Sequence, residues 1–194
     1  MRLIVLLPLI LIVAGCDRQK AEAPQAQAAN EAAPAATGKG VDRGHKGEAV
    51  PNIEILDAMS IDAGSTTNLR QYQDGKPMLV NLWASWCAPC VKELPILQIL
   101  ANKRRGALIV VPISQDSGPQ RSVEAFLDKI KGVDFIAYQD PEMKLTSALG
   151  VQIMPTTILY DAAGKEVWRF TGDLDWTGPE ATKLLSEVSP ATAR

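Results

Sequence analysis

The chain is poor in the residues that hold metals. Of its 194 residues only three are cysteine (Cys16, Cys87 and Cys90) and one is histidine (His45). A structural zinc needs about four Cys or His ligands. Cys16 follows an apolar leader and His45 lies in a low-complexity stretch, so half a zinc site is a poor account of Cys87 and Cys90. The chain also lacks a charge bias: its net charge is −2, with no basic stripe, which argues against a nucleic-acid partner. There is no internal repeat. The longest apolar stretch, Leu3 to Val13, is too short to cross a bilayer, which takes roughly 20 residues.

That short run has the length of a signal-peptide core, with Arg2 as its positive region. It ends in Val13-Ala14-Gly15-Cys16, small residues before a cysteine, which resembles the lipobox of bacterial lipoproteins. The resemblance implies residues 1–15 as a lipoprotein signal peptide, cleavage after Gly15 and lipidation of Cys16, with several acyl chains giving a firm membrane anchor. Asp17 in the next position resembles a signal for staying at the inner membrane. The expected location is therefore the periplasmic face of that membrane. The alternative is a secreted protein with an incidental cysteine. From Asp17 to Glu48 no aromatic or branched apolar residue occurs except Val41, so residues 16–48 read as a lipidated, flexible tether. Some 30 residues of coil span about 30 Å on average. Residues 49–194 remain for one folded domain.

Within that domain, Trp86-Cys87-Ala88-Pro89-Cys90 directly follows the apolar run Met78-Leu79-Val80-Asn81-Leu82-Trp83. A strand that ends in Cys-x-x-Cys and passes at once into a helix exposes one thiol at the helix N-terminus and keeps the second a turn inside. The unpaired N–H groups there favour a thiolate. The spacing allows a small disulfide ring that opens and re-forms easily. If Cys16 is lipidated, this is the single dithiol of the mature protein, in a disulfide-permissive compartment.

Hydrophobic patterning predicts the surrounding elements. A strand or hairpin is expected around Ile53-Glu54-Ile55, turning at Asp62-Ala63-Gly64, and a helical turn from Leu69 to Asp74. Buried strands follow at Met78 to Ala84 and Leu108 to Ile113. Between them a helix from Ala88 to Lys103 turns Val91, Leu94, Leu97, Ile99 and Leu100 inward, kinked by Pro95. Gly118-Pro119 opens a helix with Val123, Phe126, Leu127 and Ile130 on its core face. A short strand is expected at Phe135 to Tyr138, a helix at Pro141 to Leu149, a hairpin of Thr156 to Tyr160 with Glu166 to Thr171, and a last helix at Pro179 to Val188. The expected class is α/β, a three-layer sandwich with a mixed central sheet flanked by helices.

Four elements resemble the TlpA/ResA-type thiol–disulfide oxidoreductases, which are thioredoxin-like: the segment Leu79 to Cys90, Glu93-Leu94-Pro95, Gly150-Val151-Gln152-Ile153-Met154-Pro155-Thr156-Thr157, and a strand–helix insertion at roughly Ser117 to Ala137. The resemblance implies that Cys87 attacks partner disulfides and Cys90 resolves the mixed disulfide. It implies that Glu93 raises the thiol pKa values and moves a proton, rather than being a solvated first-turn residue. It makes Pro155 a cis-proline that brings the Met154 backbone beside the dithiol. Trp86, Pro89, Met154 and Pro155 become the docking surface, and Trp83 core; Trp168, Phe170 and Trp176 read as packing only. Where plain thioredoxin has a buried aspartate this chain has Asn81, which cannot titrate. No cofactor and no metal are implied. The implied partners are disulfide-containing proteins, either apocytochrome c or a protein with copper-site cysteines, and a transmembrane thiol carrier of the DsbD or CcdA kind as electron donor. An oxidase or isomerase would use the same residues in the other direction. A copper-delivery module of this fold would need Cys-x-x-x-Cys and a later histidine, neither of which is present, and a thiol peroxidase would need a Pro-Thr-Cys-type loop.

Overall fold

In the computed structural model the described residues are 38–58, 64–72 and 75–188. The expected signal peptide, Cys16 and most of the expected tether lie outside them, as do Asp62, Ala63, Asp74 and the last six residues. No helix among the described residues is long and apolar enough to cross a membrane.

Twelve regular elements follow in chain order: β1 (Gly40–Asp42), β2 (Glu54–Leu56), β3 (Thr66–Asn68), β4 (Met78–Trp83), α1 (Ala88–Lys103), β5 (Ile109–Ser114), α2 (Gln120–Leu127), β6 (Tyr138–Gln139), α3 (Lys144–Ala148), β7 (Thr156–Tyr160), β8 (Glu166–Thr171) and α4 (Pro179–Leu185). The strands form one mixed sheet in the order β1-β8-β7-β4-β5-β6-β2-β3. β4 runs parallel to β5 and antiparallel to β7, so the strand that feeds the dithiol lies near the centre of the sheet.

Every residue of β4 is buried, because both faces of the sheet are covered. Side chains alternate along a strand. Met78, Val80 and Leu82 therefore join Ile113, Ile158, Leu145 and Leu149 on the α3 side. Leu79 meets Leu97, Leu159, Trp168 and Trp176 on the side of α1 and α4. Burying one such leucine stabilises the fold by about 1.5–3 kcal/mol. Asn81 shares the α1 face with Leu79 and stands opposite Thr157 of β7. On β8, Arg169 forks onto the Glu166 carboxylate at 2.7 and 2.8 Å and donates to the Leu149 carbonyl at 2.6 Å, so this buried charge pair ties the sheet to the end of α3.

The fold begins earlier than residue 49. Gly40–Asp42, assigned to the tether from composition, pairs antiparallel with β8. Gly47 N–H donates to the Glu166 carbonyl at 2.8 Å, and Glu166 N–H to the Glu48 carbonyl at 2.8 Å. Val41 packs against the cluster around Trp168 and Phe170. Backbone bonds to a waiting strand edge order this segment, and hydropathy does not register them.

Smaller differences have similar causes. The strand expected at Phe135 to Tyr138 is only Tyr138–Gln139, the part that reaches the end of β5. Phe135 instead packs between two apolar clusters, so the insertion at 117–137 contributes a helix but no strand. α1 has the expected bounds with Pro95 inside it, but Ile99 is 47% exposed rather than inward. α3 starts at Lys144 instead of Pro141, where Asp140 caps it by accepting from the N–H groups of Lys144 and Leu145 at 3.0 and 2.8 Å.

Candidate active site

β4 delivers the chain into a tight turn, in which Cys87 N–H donates to the Ala84 carbonyl at 3.1 Å. Cys87 is the N-cap of α1, with extended backbone and no side-chain cap. Cys87 therefore stands at the end where the first-turn N–H groups are unpaired, although its sulfur accepts from none of them. Pro89, in that turn, fits a position where no N–H is needed. Cys87 and Cys90 form a disulfide with their Cα atoms 5.3 Å apart. Cys87 is 6% exposed and Cys90 1%, so the outer sulfur shows only a narrow window and the inner one is closed off.

The surface around that window is apolar. Trp86 is 65% exposed, and Ala88 and Pro89 are exposed beside it. The Met154–Pro155 bond is cis, as expected. Met154 is half-buried and packs on the cluster that contains both cysteines, while Pro155 is buried. The Pro155 carbonyl accepts from Gly172 N–H at 2.8 Å. A Cβ at residue 172 would come within 2.9 Å of the Lys39 side chain, and its φ of +93° also favours glycine. Trp83 is core, 1% exposed and stacked on Phe126.

Asp116, at the end of β5, braces the turn before the dithiol. It accepts from Ser85 N–H at 3.0 Å, from the Ser85 hydroxyl at 2.7 Å and from the Ser114 hydroxyl at 2.7 Å. Asp116→Ala should cost about 1–3 kcal/mol, the range for charged hydrogen bonds at a partly buried site. It should also speed alkylation of Cys87 by loosening the turn. Urea unfolding and iodoacetamide kinetics check both, and unchanged values would make the bracing irrelevant.

Glu93 lies one turn after Cys90 and is 2% exposed, so it is no solvated first-turn residue. Oε1 accepts from the Trp176 indole N–H and from Leu174 N–H at 3.1 Å. Oε2 accepts from Asn81 Nδ2 at 3.2 Å. Burial opposes the charge and pushes the Glu93 pKa from 4.5 up to about 7; the three donors pull it back, and Asp173 adds a small upward push. Sequence reasoning missed two of these partners. Trp176 was read as packing alone, although it also stacks on Trp168 with ring centroids 6.4 Å apart. Asn81 carried a usable signal, since an amide in an otherwise apolar buried strand must find partners. Among the described residues, no three His, Cys, Asp or Glu side chains are grouped to hold a metal ion.

A disulfide at a helix N-terminus, a cis Met154–Pro155 bond whose Met154 packs on the same cluster, and a buried acid one turn behind form a site for thiol–disulfide exchange. The Redoxin family profile matches residues 28–185. The chain belongs to the Redoxin family. Relatives include "Thiol-disulfide oxidoreductase ResA" of Halalkalibacterium halodurans, 28% identical over 111 residues, which are 57% of this chain and 62% of that protein. The protein of the same name in Geobacillus thermodenitrificans is 28% identical over 147 residues, 74% of this chain and 78% of that one. Among solved structures, a DsbF homologue from Corynebacterium diphtheriae superposes with a TM-score of 0.63 at 23% identity, covering 79% of this chain and 96% of that one, a likeness that shows the fold. This Redoxin-family chain is a thiol–disulfide oxidoreductase with the thioredoxin-like α/β fold.

Proposed function

We propose that the protein reduces disulfides of partner proteins outside the cytoplasm. Cys87 thiolate attacks one sulfur of the partner disulfide, forming a mixed disulfide and releasing the other partner sulfur as thiolate. Cys90 gives its proton to the Glu93 carboxylate and attacks the Cys87 sulfur. The second partner sulfur leaves as thiolate, and the Cys87–Cys90 disulfide remains. Two electrons pass to the partner, whose thiolates then take up protons. Trp86, Pro89, Met154 and Pro155 dock the partner segment around the sulfurs.

The observation that carries this direction is Glu93, buried one turn behind the dithiol. A carboxylate there disfavours a stable thiolate, and a less stable thiolate makes the reduced dithiol a better electron donor. The lipobox-like Val13 to Cys16 supports a lipid-anchored protein facing the periplasm. In such an oxidising compartment the disulfide must be re-reduced with electrons from across the membrane, which suits a thiol carrier of the DsbD or CcdA kind. The clients consistent with this reading are apocytochrome c and proteins with copper-site cysteines.

Equilibration with glutathione or dithiothreitol buffers tests the direction. The expected reduction potential lies closer to the roughly −270 mV of thioredoxin than to the roughly −120 mV of a strong oxidase. A value above about −150 mV would overturn the reading in favour of an oxidase or isomerase.

A further inference from the structure

Asn81 is fully buried, and its two amide ends are treated differently. Nδ2 donates to Glu93 Oε2 at 3.2 Å and to the Thr157 hydroxyl at 2.9 Å. Oδ1 has no hydrogen-bond partner. An orphaned buried acceptor is costly, and such groups call for an explanation.

One end of the amide is unpartnered in either orientation, and which end it is depends on where Glu93 carries a proton. Oε1 already faces the Trp176 indole N–H and Leu174 N–H, two groups that donate and cannot accept. The proton must therefore sit on Oε2, where it would point at Asn81 Nδ2, donor against donor. The two ends of an amide have nearly the same shape. A half-turn of the Asn81 side chain brings Oδ1 onto the Oε2 proton, and the Thr157 hydroxyl, both donor and acceptor, reverses to donate to Oδ1.

We propose that Asn81 is a positioning residue whose amide turns over with the protonation state of Glu93, using Thr157 as its reversible partner, so that Oε2 has a matched partner both when it holds a proton and when it gives it up. Other groups around the carboxyl fit this assignment. Asp173 acts on Glu93 only at long range and is itself paired with Lys39 at 3.0 Å. On α1 the nearest titratable side chain on the buried side is Cys90, locked in the disulfide. None of them offers Oε2 an acceptor in the structure.

This inference rests on Glu93 as the proton-handling group of the proposed exchange, but its test needs no substrate. In the full-length oxidised chain, NMR would follow the Glu93 carboxyl carbon and the Asn81 side-chain amide across pH. Above the Glu93 midpoint the Asn81 NH2 protons should show NOEs to Thr157. Below it those NOEs should be lost, with a coincident midpoint, and Glu93→Gln should abolish the change. Amide NOEs that persist unchanged through the Glu93 titration would overturn the proposal. Should Glu93→Gln fail to fold, the NOE measurement on the native chain decides alone. A potential that pointed to an oxidase would overturn the proposed direction and leave the amide result standing.

Discussion

Cys90→Ala is expected to abolish multiple turnover and to leave the partner bound to Cys87 as a stable mixed disulfide. In the native protein the second attack is intramolecular, from a sulfur held within the same helical turn. Well-oriented intramolecular attack corresponds to effective concentrations on the order of 10⁵ M or more, far above those of free thiols. Losing it should lower turnover by at least about 10³-fold, with exchange continuing only through external thiols. Cys90 is nearly inaccessible at 1% exposure, so it cannot replace Cys87 as the attacking group. Cys87→Ala should therefore form no adduct at all. Non-reducing electrophoresis with a disulfide-containing client separates the cases: adduct in Cys90→Ala, cleaved by dithiothreitol, and none in Cys87→Ala. Adducts in both variants would mean that the inner cysteine reaches partners and that the division of roles is wrong.

Glu93→Gln is expected to remove a pH dependence of stability that amounts to about 3 kcal/mol. The Glu93 carboxyl titrates near 7 in the folded protein against 4.5 in its ordinary setting. Between those values the folded state holds a proton that the unfolded chain has released. The stabilisation is thus complete below about pH 4.5 and is lost as pH climbs through 7. Glutamine keeps an oxygen for the Trp176 and Leu174 donors and never ionises, so its contribution stays flat. Urea unfolding of both oxidised proteins from pH 5 to 8 should show the native protein losing ground to the variant in that window. In the reduced protein the same change should shift Cys alkylation to lower pH, because a neighbouring negative charge has gone. If Glu93 also relays protons, resolution of the mixed disulfide should slow despite the more acidic thiol. Superimposable unfolding and alkylation curves would make Glu93 a bystander.

What could be read from sequence divides along a physical line. Dense apolar runs and sharp punctuation announced β4, α1 and the β7–β8 hairpin, whose bounds agree closely with the structure. The dithiol and the cis-proline were legible because each depends on a local motif. Elements that depend on a distant partner were not. β1 exists because β8 offers it an edge, and Gly40-Val41-Asp42 carries no periodicity of its own. The environment of Glu93 is assembled from α1, β4 and the segment at 174–176, and no single stretch of sequence contains it. Trp176 stands 83 residues away from Glu93, and its packing role concealed its donor role. Ile99 shows the reverse limit: an apolar residue near a helical stripe reads as inward even when its neighbours leave it in water.

The pairing of β1 with β8 bears on solubility as well as on where the fold begins. A thiol–disulfide oxidoreductase meets other chains able to add as a strand to any open sheet edge. β8 has six residues, all buried, and its outer edge would offer backbone N–H and C=O groups to any strand that reached it. β1 covers half of that edge with a three-residue strand, and the backbone bonds at Gly47 and Glu48 occupy its beginning. The opposite margin ends in β3, a short polar run of Thr-Thr-Asn. Among the described residues, both margins are thus too short or too polar to template self-association.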